Sequence, residues 1–458
     1  MRHHPDKYTR MTETPVERLI ISLAIPTIIS MLVTALYNSA DKYFVGAIST
    51  QASAAVSVVF AVMSIIQAMG FFCGHGSGNY MSRQIGAGNR REAEEAGATG
   101  FILAFLLGTV VMCAGLIFLY PLARFLGATD TMMSDTVGYL RIILCGAPVM
   151  MPQIVLNNQL RFQGSAVYSM IGLVSGAVLN IALDPLFIFV FGMGVSGAAL
   201  ATVLSQGVGL IVLYAGTLHG ENVRIHPKNI RFNRHYLHEI VNGGAPSLFR
   251  QGMSSISTVI LNHMAGVYGA AAAASLLVSP EDAADAAIAG MGITTQVMMI
   301  LNSALIGFGQ GMQPTVSFNY GAEKYDRVKR AFAFSVKVAT VAASAVALFC
   351  LTFAPQIIRF FRDDPAVVAV GQTALRFQAC SLFLFGFSVM SNMMLQSIGK
   401  GVRASVMAAS RSGIFFIPLI LILPRLFGLF GVEISQAIAD VCAFLLAIPI
   451  VRSVWREM

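Results

Sequence analysis

The chain has 458 residues, of which 56% are hydrophobic and only 11% charged, with a formal net charge of +8. Soluble domains carry roughly 25% charged residues, so this balance excludes an ordinary soluble enzyme and points to a membrane protein. The positive charge is explained by basic connections on one side of a bilayer, and no nucleic-acid partner is expected.

The start, MRHHPDKYTRMTETPVERL, is polar and mixed in charge, and the apolar run behind it is long enough to span, so no cleavable signal is expected. His3 and His4 sit in this tail and carry no metal assignment. Apolar stretches long enough to cross a bilayer, at about 20 residues each, follow near 19–45, 54–80, 96–120, 138–160, 166–190 and 195–218. After a basic, polar segment they resume near 241–265, 286–316, 332–354, 371–396, 405–424 and 430–451. This predicts an all-α polytopic membrane protein with twelve transmembrane helices. Cys73, Cys113, Cys145, Cys350, Cys380 and Cys442 lie in apolar runs without a CxxC pair and are expected to be small buried hydrophobes.

Lysines and arginines set the orientation. With the N-terminus inside, one set of connections holds Arg83, Arg90, Arg91, Arg161, Arg224, Lys228, Lys324, Arg327, Lys400, Arg403 and Arg411. The opposite loops offer little beyond Arg124, Arg359, Arg362 and Arg425. Both termini are therefore expected in the cytoplasm, and the chain in the cell inner membrane.

The sequence also repeats itself. Ile25-Pro26-Thr27 aligns with Ala245-Pro246-Ser247, Gly86-Ala87-Gly88 with Gly321-Ala322-Glu323, and Asp184-Pro185 with Ile417-Pro418. GVSGAA from Gly194 matches GLFGVE from Gly428. Two six-helix lobes in the same orientation follow, related by an internal parallel repeat: an N-terminal lobe at 1–218, a cytoplasmic linker at 219–240 and a C-terminal lobe at 241–458. Parallel repeats with a site at their interface are a transporter plan.

Charges inside apolar helices are costly and mark function. Asp41 lies near the end of the first helix, one turn beyond Tyr37; Asp184 lies in the fifth, one turn beyond Asn180; Thr202 is in the sixth, and Asn157 and Asn158 in the fourth. Two carboxylates that approach one another cannot both stay charged cheaply, so one takes up a proton or a small cation bridges them. Carboxylate, amide and hydroxyl oxygens suit a hard cation such as Na+, with proton binding as the competing occupancy. The second half has Ile417 in place of Asp184. Its polar groups Arg250, Gln251 and Asn302 are candidates for a substrate cleft or gate, with Arg250 expected to be neutralised by a carboxylate such as Asp440. His75 and His263 are expected to pack helices. No GxxxxGK[ST], GxSxG or HExxH pattern occurs, which argues against direct ATP use and against hydrolytic enzymes.

Twelve helices in two repeats, the GAGN connector, and the pair LNIALDPLFIF and GVSGAALATVLSQ resemble the multidrug and toxin compound extrusion (MATE) family over essentially the whole chain. The resemblance is strongest to the prokaryotic branch with acidic residues in the N-terminal lobe. It implies export of amphipathic, often cationic drugs by alternating access, coupled to H+ or Na+. The family's cation site carries over to Asp41, Asn180, Asp184 and Thr202, with Tyr37, Tyr139 and Asn157 as accessory polar groups. Lys42 departs from the small polar residue usual beside the first acid, and Ser254 and Ser255 stand where other branches place a coupling Glu. The expectation is a monomeric, multi-pass antiporter, not an enzyme, with the bilayer and small organic cations as partners and no cofactor beyond the coupling ion. The alternatives are a lipid-linked precursor flippase of the same superfamily and a membrane-embedded lipid-modifying enzyme.

Overall fold

The computed structural model describes residues 6–458, except for the side chains of Ser39, Lys42 and Thr50. His3 and His4 lie outside the described residues, and so does the Lys42 side chain. The described residues contain helices and no strands. A short α1 (Lys7–Glu13) precedes α2 (Val16–Gly46), α3 (Thr50–Gly86), α4 (Arg90–Ile117) and the short α5 (Leu119–Phe125). Next come α6 (Met133–Phe162), α7 (Ala166–Pro185) and α8 (Gly194–Thr217). The rest of the chain forms α9 (Arg234–Ala271), the single turn α10 (Ala273–Leu276), α11 (Pro280–Gly321), α12 (Tyr325–Phe361), α13 (Pro365–Ser397), α14 (Gly401–Ala409), α15 (Phe416–Phe427) and α16 (Leu429–Glu457).

Eleven spans among the described residues are long and apolar enough to cross a bilayer, with α14 and α15 counted as one span. The twelfth long helix is α9, 38 residues in length, which falls short on composition because Arg250, Gln251, Ser254, Ser255 and Thr258 interrupt its apolar face. The fold is the expected polytopic all-α architecture.

Each half carries a π turn beside the matched proline, after it in the first half and before it in the second. Pro185 has no N–H to offer the carbonyl four residues back, and the next five residues, Leu186–Val190, widen into a π turn. In the second half Ser410–Phe415 form a π turn just before Pro418. Single π turns are uncommon and tend to mark working parts of a helix.

The helices pack into two units. The first comprises the chain through Leu248 together with 310–328 and 397–399; the second comprises 249–309, 329–396 and 400–458. Within the first, α6 runs through the middle and touches α3, α4, α7 and α8, while α2 lies along α7. A buried polar cluster ties several of its helices together. Arg161 donates from Nη1 to Gln310 Oε1, and from Nη2 to Asn158 Oδ1 at 2.6 Å and to His75 Nε2 at 3.1 Å. A guanidinium has only donors, so His75 Nε2 accepts and Nδ1 donates to Ser247 Oγ at 3.0 Å. His75 is thus a packing group, stacked on Phe71 with ring centroids 5.4 Å apart.

Candidate cation site at the end of α7

The spacing of Asn180 and Asp184 puts both on one face of α7, and that face meets α8. Asn180 Nδ2 donates to Asp184 Oδ1 at 3.3 Å and reaches Thr202 Oγ1 on α8 at 3.5 Å. The Thr202 hydroxyl spends its own proton on the Ala198 carbonyl at 3.0 Å, so its oxygen faces the cluster as an acceptor. Asp184 is 0% exposed, Asn180 2% and Thr202 4%. Water therefore does not solvate this carboxylate, and its stabilisation must come from protein groups, a proton or a cation.

The turn between α7 and α8 explains the close approach. Gly192 and Gly194 adopt left-handed φ angles of 65° and 57°, which reverse the chain directly after the π turn. Gly197 then lets α8 lie against the π turn: a Cβ at this position would stand 2.8 Å from the Phe187 carbonyl carbon and oxygen. The glycines thereby set the distance between Asp184 and Thr202.

Asp41, on the first spanning helix α2, lies within electrostatic reach of Asp184, and both carboxylates act on the Tyr139 hydroxyl. Tyr37 also feels Asp41 and hydrogen-bonds with Gln206 on α8. Tyr139 is fully buried and directs its hydroxyl at Met63 Sδ, 3.7 Å away. The structure thus brings Asp41, Asn180, Asp184, Thr202, Tyr37 and Tyr139 into one neighbourhood. Gln206 and Met63 join them without having been singled out as site residues. Their signal is cross-helix packing, which leaves no periodic trace in the sequence.

Asn157 lies elsewhere. Its side chain donates to the Ser169 carbonyl at 3.0 Å, and its own carbonyl accepts from Ser169 Oγ at 3.0 Å. Ser169 is eleven positions before Asn180, about 16 Å along the helix at a rise of 1.5 Å per residue. Asn157 fastens α6 to the far end of α7 instead of entering the cluster.

The donor set suits a hard cation. Asp184 Oδ2 and Asn180 Oδ1 are both buried and accept no hydrogen bond among the described residues. Buried polar atoms without partners are rare, and each calls for an explanation. A monovalent cation or a proton supplies one, because the available atoms are carboxylate, amide and hydroxyl oxygens.

The second unit has different chemistry. Arg250 donates to Asn392 Oδ1 at 3.5 Å and is not held by Asp440. Asp440 instead receives Arg411 Nε at 2.6 Å, Gln436 Nε2 at 2.9 Å and Ser381 Oγ at 2.9 Å. The π turn at Ser410–Phe415 carries Arg411 against α16, and the guanidinium also lies 4.0 Å over the Phe385 ring. Arg411 therefore belongs to a part-buried ion pair and not to a basic connection. Gln251 is part-buried on α9, and Asn302 Oδ1 on α11 is buried without a hydrogen-bond partner among the described residues.

Comparisons with known proteins agree with this architecture. The MatE family model matches the chain twice, over residues 26–186 and 260–422, as two homologous halves would require. The multidrug export protein MepA of Staphylococcus haemolyticus (strain JCSC1435) is 27% identical over 440 residues, covering 94% of this chain and 93% of that protein. MepA of Staphylococcus aureus (strain MRSA252) is 28% identical over 445 residues, covering 96% and 94%. A solved structure described as the outward-facing conformation of a multidrug resistance MATE family transporter of the MOP superfamily superposes with a TM-score of 0.86 at 27% identity, covering 96% of each chain. The twofold family match, the many apolar spans and the buried acid on the broken helix α7 place this multi-pass membrane protein in the MATE family of transporters.

Proposed function

We propose that the protein is a cation-coupled multidrug efflux antiporter, exporting amphipathic, often cationic compounds in exchange for H+ or Na+. The observation that carries this reading is the fully buried Asp184 carboxylate, one oxygen of which accepts no hydrogen bond among the described residues. The relatives named as multidrug export proteins support the substrate class.

The coupling follows from the cost of charge. With Asp41 and Asp184 both ionised, two negative charges face each other out of bulk water, which is unfavourable. Binding a proton or Na+ at Asp41, Asn180, Asp184 and Thr202 relieves the repulsion and draws α2 towards α7 and α8. Pro26 removes one backbone hydrogen bond within α2 and gives that helix a place to bend. Occupied and empty sites thus favour different positions of α2, and an ion that distinguishes the two states can drive a conformational cycle. The excess of Lys and Arg on one set of connections supports an inner-membrane orientation with both termini cytoplasmic.

The test is efflux of ethidium from cells expressing the protein. Export should raise dye resistance and collapse when an ionophore dissipates the gradients. Asp184→Asn should abolish export while the protein still reaches the membrane. Normal ionophore-sensitive efflux by Asp184→Asn would remove the coupling role.

A further inference from the structure

The second unit holds a buried acid that the coupling chemistry above does not use. Glu433, one turn into α16, is 6% exposed. Its carboxylate makes no hydrogen bond or ion pair among the described residues and lines a cavity of about 200 Å³.

 A separate cavity of about 480 Å³ lies in the first unit beside Tyr80, Arg83 and Glu239, where Glu239 is paired with Arg83 and Glu92 accepts from the Tyr80 hydroxyl. The cavity at Glu433 is the one of about 200 Å³, and it lies wholly within the second unit.

Its walls come from three elements. Leu276 and Ser275 belong to the turn that follows α9, Val370 to the start of α13, and Leu429 and Phe430 to the first turn of α16. The Phe430 ring is held edge-on against Phe377, with centroids 5.4 Å apart at 78°. Leu276, Val370 and Leu429 belong to the same apolar cluster. The cavity therefore offers one carboxylate, one hydroxyl, one partly exposed aromatic ring packed against Phe377 and otherwise hydrocarbon.

We propose that this cavity is a binding site for the ammonium head of an organic cation, with Glu433 as counter-charge and Phe430 as the aromatic wall. A metal ion is the wrong occupant, because a hard cation requires several oxygens and only one carboxylate and one hydroxyl line the space. A quaternary or alkylated ammonium needs a single negative charge and apolar or aromatic contact for its methyl groups, which matches these walls. The volume equals that of roughly six or seven waters at about 30 Å³ each, enough for a small alkylammonium. Aligning GVSGAA with GLFGVE puts Glu433 opposite Ala199, so the second half adds its acid at a position where the first half has none. The site extends the efflux reading by adding a second station for its substrates, but binding can be measured without any gradient.

The probe is radiolabelled tetramethylammonium, bound at equilibrium to the purified full chain in detergent. Wild-type protein should bind it saturably, Glu433→Gln at least about tenfold more weakly, and Phe430→Leu several-fold more weakly. Excess Na+ should leave the probe bound. Equal binding by Glu433→Gln and wild type, no saturable binding by wild type, or displacement by Na+ in preference to other ammonium ions would each overturn the proposal. Should Glu433→Gln fail to fold, the Phe430→Leu result decides, with unchanged affinity counting against the site. Loss of this binding with ethidium efflux intact would leave the transport function standing, and the two failures are thereby distinguished.

Discussion

Gly197→Ala tests whether the contact between α8 and the π turn sets the geometry of the cation cluster. The added Cβ would lie 2.8 Å from the Phe187 carbonyl carbon and oxygen and 3.1 Å from Ile188 N. These are backbone atoms and cannot swing aside, so α8 must shift. Overpacking of this kind costs about 1–3 kcal/mol. Thr202 lies five residues further along the same helix, and its contact with Asn180 is already 3.5 Å long. A shift of α8 breaks it, removing a hydrogen bond worth about 0.5–1.5 kcal/mol, or roughly a two- to twelvefold loss of ion affinity. Gly207→Ala is the control: its Cβ would meet only Val149 Cγ1, at 3.8 Å. Thermal unfolding of the purified variants and ethidium efflux per molecule are the assays. Gly197→Ala should unfold at a lower temperature and transport more slowly, while Gly207→Ala should match wild type. A Gly197→Ala protein with wild-type stability and transport would refute the reasoning.

Two further outcomes follow from the same contacts. Arg411→Ala leaves Asp440, 2% exposed at its side chain, with only Gln436 and Ser381 as donors; it should cost about 3 kcal/mol, and Arg411→Met combined with Asp440→Leu should recover most of that loss in thermal unfolding. Burial, opposed by the Glu221 carboxylate, lowers the Lys7 ammonium from 10.5 to about 7. Docked Lys7 therefore binds protons less readily than undocked Lys7, so docking of α1 should be weakest below about pH 7 and strengthen as the pH rises towards 10.5. A spin label at Arg10 should report tighter docking at higher pH, and Lys7→Met should flatten the dependence.

Much of the architecture was legible because each spanning helix is its own apolar run. Even α9 was read as a span over 241–265, although its Arg250, Gln251 and serines lower its hydropathy. Asn180 and Asp184 were legible as a pair because positions four apart share a helix face. Their meeting with Thr202 depends on Gly192, Gly194 and Gly197, whose importance shows only once a left-handed turn and a close backbone approach are seen. The partner of Asp440 was not legible. Arg250 was the arginine expected beside it, while Arg411 was counted among the basic connections; a π turn, which has no strong sequence signal of its own, is what brings Arg411 to Asp440. Asn157 looked like a site residue because it is polar in an apolar helix, yet a backbone carbonyl on α7 already uses its amide. The composition of a helix indicates that a polar group must be satisfied; only packing says by what.

The central claim is that ion binding at Asp184 drives export. The most direct measurement is dye transport by protein reconstituted into vesicles, with a pH gradient or a Na+ gradient imposed separately. Wild-type protein should transport ethidium under at least one of the two gradients, and Asp184→Asn under neither. Gradient-driven transport by Asp184→Asn at the wild-type rate, or wild-type transport indifferent to both gradients, would contradict the account.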